Sequence, residues 1–497
     1  MKRLSFVITF LFVWTLGLAQ QDELARKYGA MISEDELRYN LGIIASDAME
    51  GRETGKRGQK MAAAFISTYF KDLGLIGPVD GGYFQPLDLY GSAPGEIYVK
   101  AGDQTFQNYT DIIYFGQAVT DGEQSTPLVF AGKGREEDYN GLDVKGKSVL
   151  ISLGSTEDYR APAAKAREKG AGLVFVQNTN TADEFKGLAG QFRSFMGSGR
   201  LSLTPSSGGN TRNMGVVFVS SAATEKFMGT SMDKLQKAAA EDPKKGALKK
   251  VKPGNVAFKL STDVNIVKSE NVLGFLEGTD KKEEILVITA HYDHIGIGGR
   301  GEDKINNGAD DDGSGTVAVM EMARVFTEAA KAGHRPRRSI LFMTVTGEEK
   351  GLLGSAYYAA NPIFPLENTI VNINIDMIGR IDSAHKQNYI YVIGPDKLSK
   401  DLYDLHEQTN KKYSGLTLDY TYNSESHPDR IYYRSDHWNF AKNGIPIIFY
   451  FSGIHEDYHR PSDEVDKIEF PLMTKRAALA FYTAWEIANR EQSIIRD

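Results

Sequence analysis

The chain has 497 residues, of which 41% are apolar and 25% are charged, a composition typical of folded globular domains. Its formal net charge is −7, so it has no excess of positive charge to bind a phosphate backbone, and we expect no nucleic-acid partner. The chain contains no cysteine, which excludes disulfides, thiol nucleophiles and cysteine-based zinc sites. Any metal ion must therefore be bound by His, Asp or Glu.

The first nineteen residues have the three-part pattern of a secretory signal peptide. Lys2 and Arg3 form a positive start, residues 4–18 are mostly apolar, and Gly17 and Ala19 are small residues at the −3 and −1 positions of a cleavage site. The apolar run is shorter than the roughly 18 residues needed to cross a bilayer. We expect a signal peptide over 1–19, a secreted or periplasmic mature chain, and no stable membrane anchor after cleavage.

Residues 20–95 and 96–265 differ in their hydrophobic patterns. The first segment contains two stretches of helical spacing, 33–46 and 57–73. In the second segment, short alternating runs are separated by Gly, Asp, Asn and Ser, and a single helix is expected over 161–169. This pattern predicts that residues 96–265 form an inserted, mostly β domain.

From residue 266 to residue 497 the chain alternates between strand and helix patterns. The predicted strands are 284–289, 339–345, 369–375, 389–393 and 447–451, and the predicted helices are 315–332, 351–359, 399–412 and 473–490. Most of these strands consist almost entirely of apolar residues, which is typical of parallel strands that are buried on both faces. We therefore expect an α/β fold with a doubly wound, mostly parallel sheet, formed by residues 20–95 and 266–497.

Acidic and imidazole side chains follow these strands where each strand ends. A-H-Y-D-H (290–294) follows the first strand, and G-A-D-D-D-G-S-G (308–315) opens the next helix. T-G-E-E-K-G (346–351), I-D-M (375–377) and H-E-D-Y-H-R-P-S-D (455–463) follow later strands. Each motif alone has a structural explanation, such as helix capping by the aspartates. Because an open α/β sheet forms its binding crevice at the carboxyl ends of its strands, their joint occurrence favours one shared site.

The chemistry of this set of side chains indicates zinc, which binds imidazole and carboxylate. All nine histidines of the chain lie at or after His291. Charge favours a pair of ions, since two Zn²⁺ are neutralised by three carboxylates and one bridging hydroxide, and a neutral site is less costly to desolvate. We therefore expect two Zn²⁺ ions in the C-terminal segment.

These motifs resemble those of the co-catalytic dizinc exopeptidase family, which includes bacterial secreted leucyl aminopeptidases and glutamate carboxypeptidase. P-L-V-F-A-G-K-G (127–134), G-L-D-V-K-G-K (141–147) and A-R-E-K-G-A-G (166–172) also resemble the protease-associated domain that many members carry. The resemblance implies that His291 and Asp376 bind one zinc, that Glu349 and His459 bind the other, and that Asp311 bridges both. It also implies a cis peptide bond after Asp311.

The resemblance implies a role for Glu348, and the positions of Tyr458, Asp293 and Asp436 beside the expected ligands suggest roles for them. Glu348 is expected to be the general base, and Tyr458 either stabilises an oxyanion or is a packing residue. Asp293 is expected to accept the second ring N–H of His291, and Asp436 to support another ligand. The remaining rival ligands are the imidazoles of His294, His437 and His455.

The sequence therefore predicts a secreted dizinc aminopeptidase that acts on peptide substrates. Three alternatives stay open: a zinc carboxypeptidase of the same family, a glutaminyl-cyclase-like acyltransferase and a metal-free receptor module. A carboxypeptidase is the second choice among peptidases, because Arg430 and Arg434 flank the S-D-H segment (435–437) and can hold a substrate carboxylate.

Overall fold

The structure is a computed structural model that describes residues 22–154, 157–196, 199–205, 214–242, 245–298 and 301–497. The predicted signal peptide, residues 1–19, lies outside the described residues. The chain divides into two compact units, one formed by the residues up to Asp88 together with Lys268–Asp497, and the other by Leu89–Val267. The predicted insertion, 96–265, falls within the second unit. Among the described helices, none combines the length and the apolar character that a bilayer crossing requires.

The strands in chain order are β1 (Phe84–Pro94), β2 (Tyr98–Ala101), β3 (Gln104–Gln107), β4 (Ile112–Phe115), β5 (Gln124–Phe130), β6 (Ser148–Ser152), β7 (Val174–Gln177), β8 (Arg200–Ser202), β9 (Val216–Val219), β10 (Gly254–Lys259), β11 (Thr262–Leu276), β12 (Lys281–His291), β13 (Arg338–Val345), β14 (Thr369–Ile375), β15 (Tyr389–Ile393), β16 (Thr417–Asp419) and β17 (Ile447–Phe451).

A helical stretch over 22–29 precedes the labelled helices. The helices after it are α1 (Glu34–Ile44), α2 (Arg57–Leu73), α3 (Arg160–Glu168), α4 (Ala182–Met196), α5 (Ser221–Met228), α6 (Met232–Ala240), α7 (Gly315–Lys331), α8 (Leu353–Ala360), α9 (Lys400–Thr409), α10 (His437–Ala441) and α11 (Phe470–Asn489).

The first unit contains a sheet with the strand order β16-β15-β17-β14-β12-β13-β11-β1. At its centre β12 pairs in parallel with both β13 and β14, and β14 pairs in parallel with β17. Leu286 and Ile288 of β12 belong to one buried core, and Ile285 and Val287 belong to the core on the opposite face. Burial on both faces explains why these strands are almost continuously apolar, and the predicted α/β fold class is confirmed.

The sheet is mixed: one predicted strand, β15, is antiparallel to its neighbour, and so is β11, which the sequence did not predict as a strand. β15 runs antiparallel to β17, and β11 runs antiparallel to β13. A parallel return from β14 to β15 requires a crossover, usually a helix, and the connection between Ile375 and Tyr389 contains none. The chain therefore reverses direction there.

The second unit contains a sheet with the order β3-β2-β10-β5-β6-β7-β9-β4. Its central strands β5, β6, β7 and β9 are parallel, and the flanking pairs are antiparallel. The sequence predicted one helix in this unit, at the position of α3. The structure adds α4, α5 and α6, of which α5 and α6 are short and contain few large apolar residues, so their helical periodicity is weak.

The buried imidazole of His406 on α9 leads to a prediction about acid stability. Burial lowers the pKa of this imidazole to about 3 in the folded protein. In the unfolded chain the imidazole has its ordinary pKa of about 6.5, so between these two pH values only the unfolded chain binds the proton. The free energy of unfolding is therefore not reduced by this group above about pH 6.5. It falls as the pH is lowered toward 3, by up to about 1.4 kcal/mol per pH unit.

We expect His406→Leu to lose less stability than the wild type between about pH 6 and about pH 4, as measured by urea unfolding. His427→Leu, at a partly exposed histidine, is the matched control and should keep the wild-type dependence. An unchanged pH dependence in His406→Leu would show that this imidazole is not excluded from titration by burial.

Candidate metal centre

The carboxyl ends of four neighbouring parallel strands place the candidate residues at one edge of the sheet. His291 is the last residue of β12, and Asp376 comes directly after β14. Glu348 and Glu349 follow β13, and His459 follows β17 after a short loop. Asp311 lies in the segment Ala309–Ser314, which leads into α7. The structure therefore brings together all the ligands that the sequence predicted.

One group of side chains surrounds the ring of His291. Its Nε2 atom lies 3.3 Å from Asp311 Oδ1 and 3.7 Å from Asp376 Oδ1. Glu348 Oε2 lies 3.9 Å from the same nitrogen. The ligand atoms of His291, Glu348 and Asp376 lie close enough together to surround a single ion.

A second group surrounds the other oxygen of Asp311. Asp311 Oδ2 lies 3.1 Å from Nε2 of His459, and Glu349 Oε2 lies 3.1 Å from that same nitrogen. Asp311 thus presents one carboxylate oxygen to each group, which is the geometry that a bridging ligand requires.

His294 also belongs to the second group, although the sequence analysis kept it only as a rival ligand. Its ring is fully buried, and Nδ1 lies 2.8 Å from Glu349 Oε1 and 3.8 Å from Asp311 Oδ2. The sequence signal for it was the motif H-Y-D-H, in which the second histidine stands three positions after His291. The other rivals lie elsewhere: His437 contacts the backbone oxygen of Tyr432, and His455 lies 3.4 Å from Asp310 Oδ2.

The three consecutive aspartates have different partners. Asp312 accepts hydrogen bonds from the backbone N–H groups of His291 and Met377, and thereby joins the ends of β12 and β14. Asp310 accepts from the hydroxyl of Ser314 and the backbone N–H of Gly379. The peptide bond between Asp311 and Asp312 is cis, as the resemblance implied. Only the middle aspartate directs its carboxylate into the cluster of histidines and glutamates.

Two further buried charged residues support this loop. The sequence analysis assigned a role to neither, although Asp463 ends the motif at 455–463. Arg52 is fully buried and donates hydrogen bonds to the backbone oxygens of Tyr292, Asn307 and Gly308. Asp463 accepts from the backbone N–H groups of Asp310 and Asp311. Together they fix the backbone of the loop that leads up to Asp311.

The structure gives Asp293 and Asp436 partners that differ from the predicted ones. The backbone oxygen of Asp293, at 3.0 Å, contacts Nδ1 of His291, whereas its carboxylate is 3.9 Å away. That carboxylate instead accepts from Thr54 Oγ1 and from the backbone N–H of Glu348. Because the chain turns after His291, the carbonyl group reaches the ring first. Asp436 accepts a hydrogen bond from the hydroxyl of Ser355.

Charges within the second group favour ionised carboxylates. Burial acts to raise the pKa of Asp311, but His291 and His459 outweigh it and hold that pKa well below its usual range. Burial and Asp311 also act to raise the pKa of Glu349, while His294 and His459 lower it to about 2. The pKa of His459 rises to about 10 despite burial, because Asp311 and Glu349 stabilise its charged form. Two ionised carboxylates are thus available to a cation.

Glu348 has the opposite electrostatic environment. Burial raises its pKa well above the usual range, His291 opposes this shift, and Glu349 and Asp376 raise the pKa further. A carboxyl group with a raised pKa is suited to accepting and returning a proton near neutral pH.

The donor set fits zinc. Asp311 Oδ2 is buried, and no donor among the described residues is aligned for a hydrogen bond to it, although His459 Nε2 is close. Such an oxygen is costly to bury unless it binds a proton donor or a cation. Imidazole nitrogens and carboxylate oxygens that converge in this way are the ligands zinc prefers. In each group these residues would hold an ion, with Asp311 shared.

Tyr458 and a small pocket lie beside the cluster. The ring of Tyr458 stacks on that of His459, with centroids 3.9 Å apart, and Nη2 of Arg434 lies 3.3 Å from its hydroxyl. The pocket is bounded by His291, Asp311, Glu348 and Asp376 on one side. Its other walls are largely apolar and include Met377, Ile431, Phe449, Phe451 and Ile454. A substrate group in this pocket would therefore lie directly beside a bound metal.

Ser435 offers a test of the first group. Its hydroxyl donates to Asp376 Oδ2 at 2.6 Å and accepts from Nδ2 of Asn374. Ser435→Ala removes the donor that orients Asp376, and we expect zinc affinity to fall about 10- to 100-fold, as measured by competition with a chelator.

Ser452→Ala is the matched control, because Ser452 is equally buried and its Oγ has no hydrogen-bond partner in the part of the chain that the structure describes. If both serine variants bind zinc as the wild type does, the hydroxyl of Ser435 does not orient Asp376.

Known proteins share this fold and these motifs. Residues 271–484 match the model of peptidase family M28. The chain is 26% identical to aminopeptidase YwaD of Bacillus subtilis (strain 168), over 99% of this chain and 95% of the relative. It is 24% identical to a probable glutamate carboxypeptidase of Arabidopsis thaliana, over 72% of this chain and 53% of the relative.

Solved structures agree with this assignment. The aminopeptidase from Aneurinibacillus sp. strain AM-1 superposes with a TM-score of 0.55 at 21% identity, covering 95% of this chain and 98% of that one. A zinc aminopeptidase from Bacillus subtilis superposes with a TM-score of 0.51 at 22% identity, covering 93% and 97%. These likenesses show the same α/β fold. Residues 271–484 thus match peptidase family M28, and this match together with the full-length aminopeptidase relative indicates that the chain is a zinc-dependent peptidase.

Proposed function

We propose that the chain is an exported aminopeptidase that removes N-terminal residues from peptides with the help of two zinc ions. The observation that carries this proposal is the pocket beside the clustered ligands, which has carboxylates on one side and largely apolar walls on the other. Its apolar walls suit a hydrophobic side chain. The carboxylates on its metal side suit the protonated α-amine of a peptide end.

The charge of the pocket favours an amino terminus over a carboxyl terminus. Glu348, Asp376 and Asp311 contribute carboxylates to its wall, while Arg434 is the one arginine or lysine among the described residues that line it. An α-carboxylate in this position would be repelled by those carboxylates, whereas an α-amine would be attracted. The full-length similarity to an aminopeptidase supports the same choice.

The proposed mechanism assigns the proton transfers to Glu348. When bound, the zinc pair supplies an activated water and polarises the scissile carbonyl group. Glu348 takes the proton of the attacking water and delivers it to the nitrogen of the leaving amine. The backbone N–H of Glu348 donates to Asp293 Oδ1, and this hydrogen bond positions the base.

Tyr458 is the proposed donor to the substrate oxyanion. Burial raises the pKa of its hydroxyl, and Asp311 and Glu349 raise it further, so the hydroxyl keeps its proton at neutral pH. Arg434 is close enough to hold that hydroxyl in place. Burial raises the pKa of Asp436 to about 7, and the charge of Asp436 is proposed to help keep the pKa of Glu348 raised.

Two parts of the proposal concern regions outside the metal centre. Residues 1–19 are proposed to be a cleaved signal peptide that delivers the enzyme to the periplasm or the exterior. The unit Leu89–Val267 is proposed to be the protease-associated domain that the motifs at 127–134, 141–147 and 166–172 resemble.

A zinc carboxypeptidase is the second candidate, because Arg434 lines the pocket and a guanidinium can hold a carboxylate. Arg430, the other arginine considered for this role, instead lies over the ring of Tyr433, 4.8 Å from its centroid. A glutaminyl-cyclase-like acyltransferase would be separated from both peptidases by binding one zinc, and a receptor module by binding none.

Glu348→Gln tests the assignment of the base. Since the substitution removes a proton acceptor and, in our proposal, no metal ligand, we expect kcat to fall about 10²- to 10⁴-fold with the zinc content unchanged. Steady-state kinetics and metal analysis of the purified protein measure the two quantities.

The neighbouring substitution Glu349→Gln is the matched control and should reduce the zinc content. If Glu348→Gln loses zinc, or if it keeps most of its activity, the roles of the two glutamates have been assigned wrongly.

Matched peptides with blocked ends test the direction of cleavage. We expect N-acetylation to abolish hydrolysis, because it removes the positive charge that the carboxylates of the pocket attract. C-terminal amidation should be tolerated. Product analysis by mass spectrometry distinguishes the cases, and the reverse pattern would favour a carboxypeptidase and direct mutagenesis to Arg434.

A further inference from the structure

We propose that His294 is a positioning residue for the second metal site, where it holds the carboxylate of Glu349 so that Oε2 faces the ion. The inference rests on the proposed metal pair and adds a residue to which neither the resemblance nor the mechanism gives a role. The ring of His294 is fully buried, and it lies beside Asp311 and Glu349, the two carboxylate ligands of that site.

The two carboxylate oxygens of Glu349 have different neighbours. Oε2 lies 3.1 Å from Nε2 of His459, next to the oxygen of Asp311 that faces the second group. Oε1 lies 2.8 Å from Nδ1 of His294. The carboxylate therefore has one oxygen among the metal ligands and the other against an imidazole, which is the arrangement of a ligand held from behind by a hydrogen-bond donor.

Nδ1 and Oε1 are within hydrogen-bond distance but are not fully aligned as donor and acceptor. The terminal torsion of a glutamate is soft, so the carboxylate can turn to accept a hydrogen bond from Nδ1–H of His294. That bond would leave Oε2 free for the ion and would keep Glu349 from binding it through both oxygens.

The ring of His294 has little freedom to move away. A Cβ atom at Gly308 would lie only 2.6 Å from Cδ2 of His294, so the ring packs directly against the glycine backbone. The backbone N–H of His294 donates to the backbone oxygen of Arg52, which also fixes the loop before Asp311. On the remaining side, the ring meets that of His459 edge to face, with centroids 5.8 Å apart.

The test compares two substitutions at this position by titrating zinc against a chromophoric chelator, which resolves the binding steps without measuring activity. In His294→Asn the amide nitrogen replaces Nδ1 as a donor, whereas His294→Ala has no donor. We expect the alanine variant to weaken one of the two zinc-binding steps about 10- to 100-fold and to leave the other unchanged. The asparagine variant should stay within about threefold of the wild type.

His406→Asn is the matched control, since His406 is a fully buried histidine on α9 and its loss should leave both zinc steps unchanged. Far-ultraviolet circular dichroism of each variant checks that it is folded, and the asparagine variant tests the inference if the alanine variant is not. Wild-type affinity in the alanine variant would overturn the inference. Equal weakening of both variants would also overturn it, because that result identifies His294 as a direct ligand. A wild-type protein that binds a single zinc would instead contradict the proposed metal pair.

Discussion

The first unit buries several carboxylates at one edge of its sheet, and the surrounding structure has to offset the electrostatic cost of placing them there. The carboxylates of Asp311, Glu348, Glu349 and Asp376 each lie within 4 Å of the ring of His291 or His459, and solvent reaches them only slightly. Carboxylates buried together repel one another and lose their hydration, so they require cations or donors nearby. The imidazoles provide part of this compensation, and zinc would provide the rest.

The surrounding structure is arranged to hold that edge in place. Asp312 joins the ends of β12 and β14. Asp463 and Arg52 bind backbone groups of the loop that leads to Asp311 and thereby fix it. None of these side chains needs to touch a substrate, yet each restricts where the Asp311 carboxylate can point. The proposed dizinc site requires this rigidity, because a displacement of Asp311 would alter both proposed metal positions at once.

The sequence predicted the parts of the structure that follow from periodicity and strand order. Apolar runs predicted the central strands, and the rule that parallel strands end at one edge predicted that His291, Asp376 and the glutamates would meet. The antiparallel direction of β15 was missed, although the sequence predicted no helix between β14 and β15 that could carry the chain across for a parallel return. The carbonyl contact of Asp293, the burial of Arg52 and the place of His294 beside Glu349 depend on loop conformation, which one sequence does not encode in a simple pattern.

The central claim is that Asp311 bridges two zinc ions, and anomalous diffraction at the zinc absorption edge tests it most directly. We predict two anomalous peaks roughly 3.5–4 Å apart on either side of the Asp311 carboxylate. One peak should lie beside His291 and Asp376, and the other beside His459 and Glu349. A single peak in crystals grown with excess zinc, or two peaks that do not share Asp311, would contradict the account.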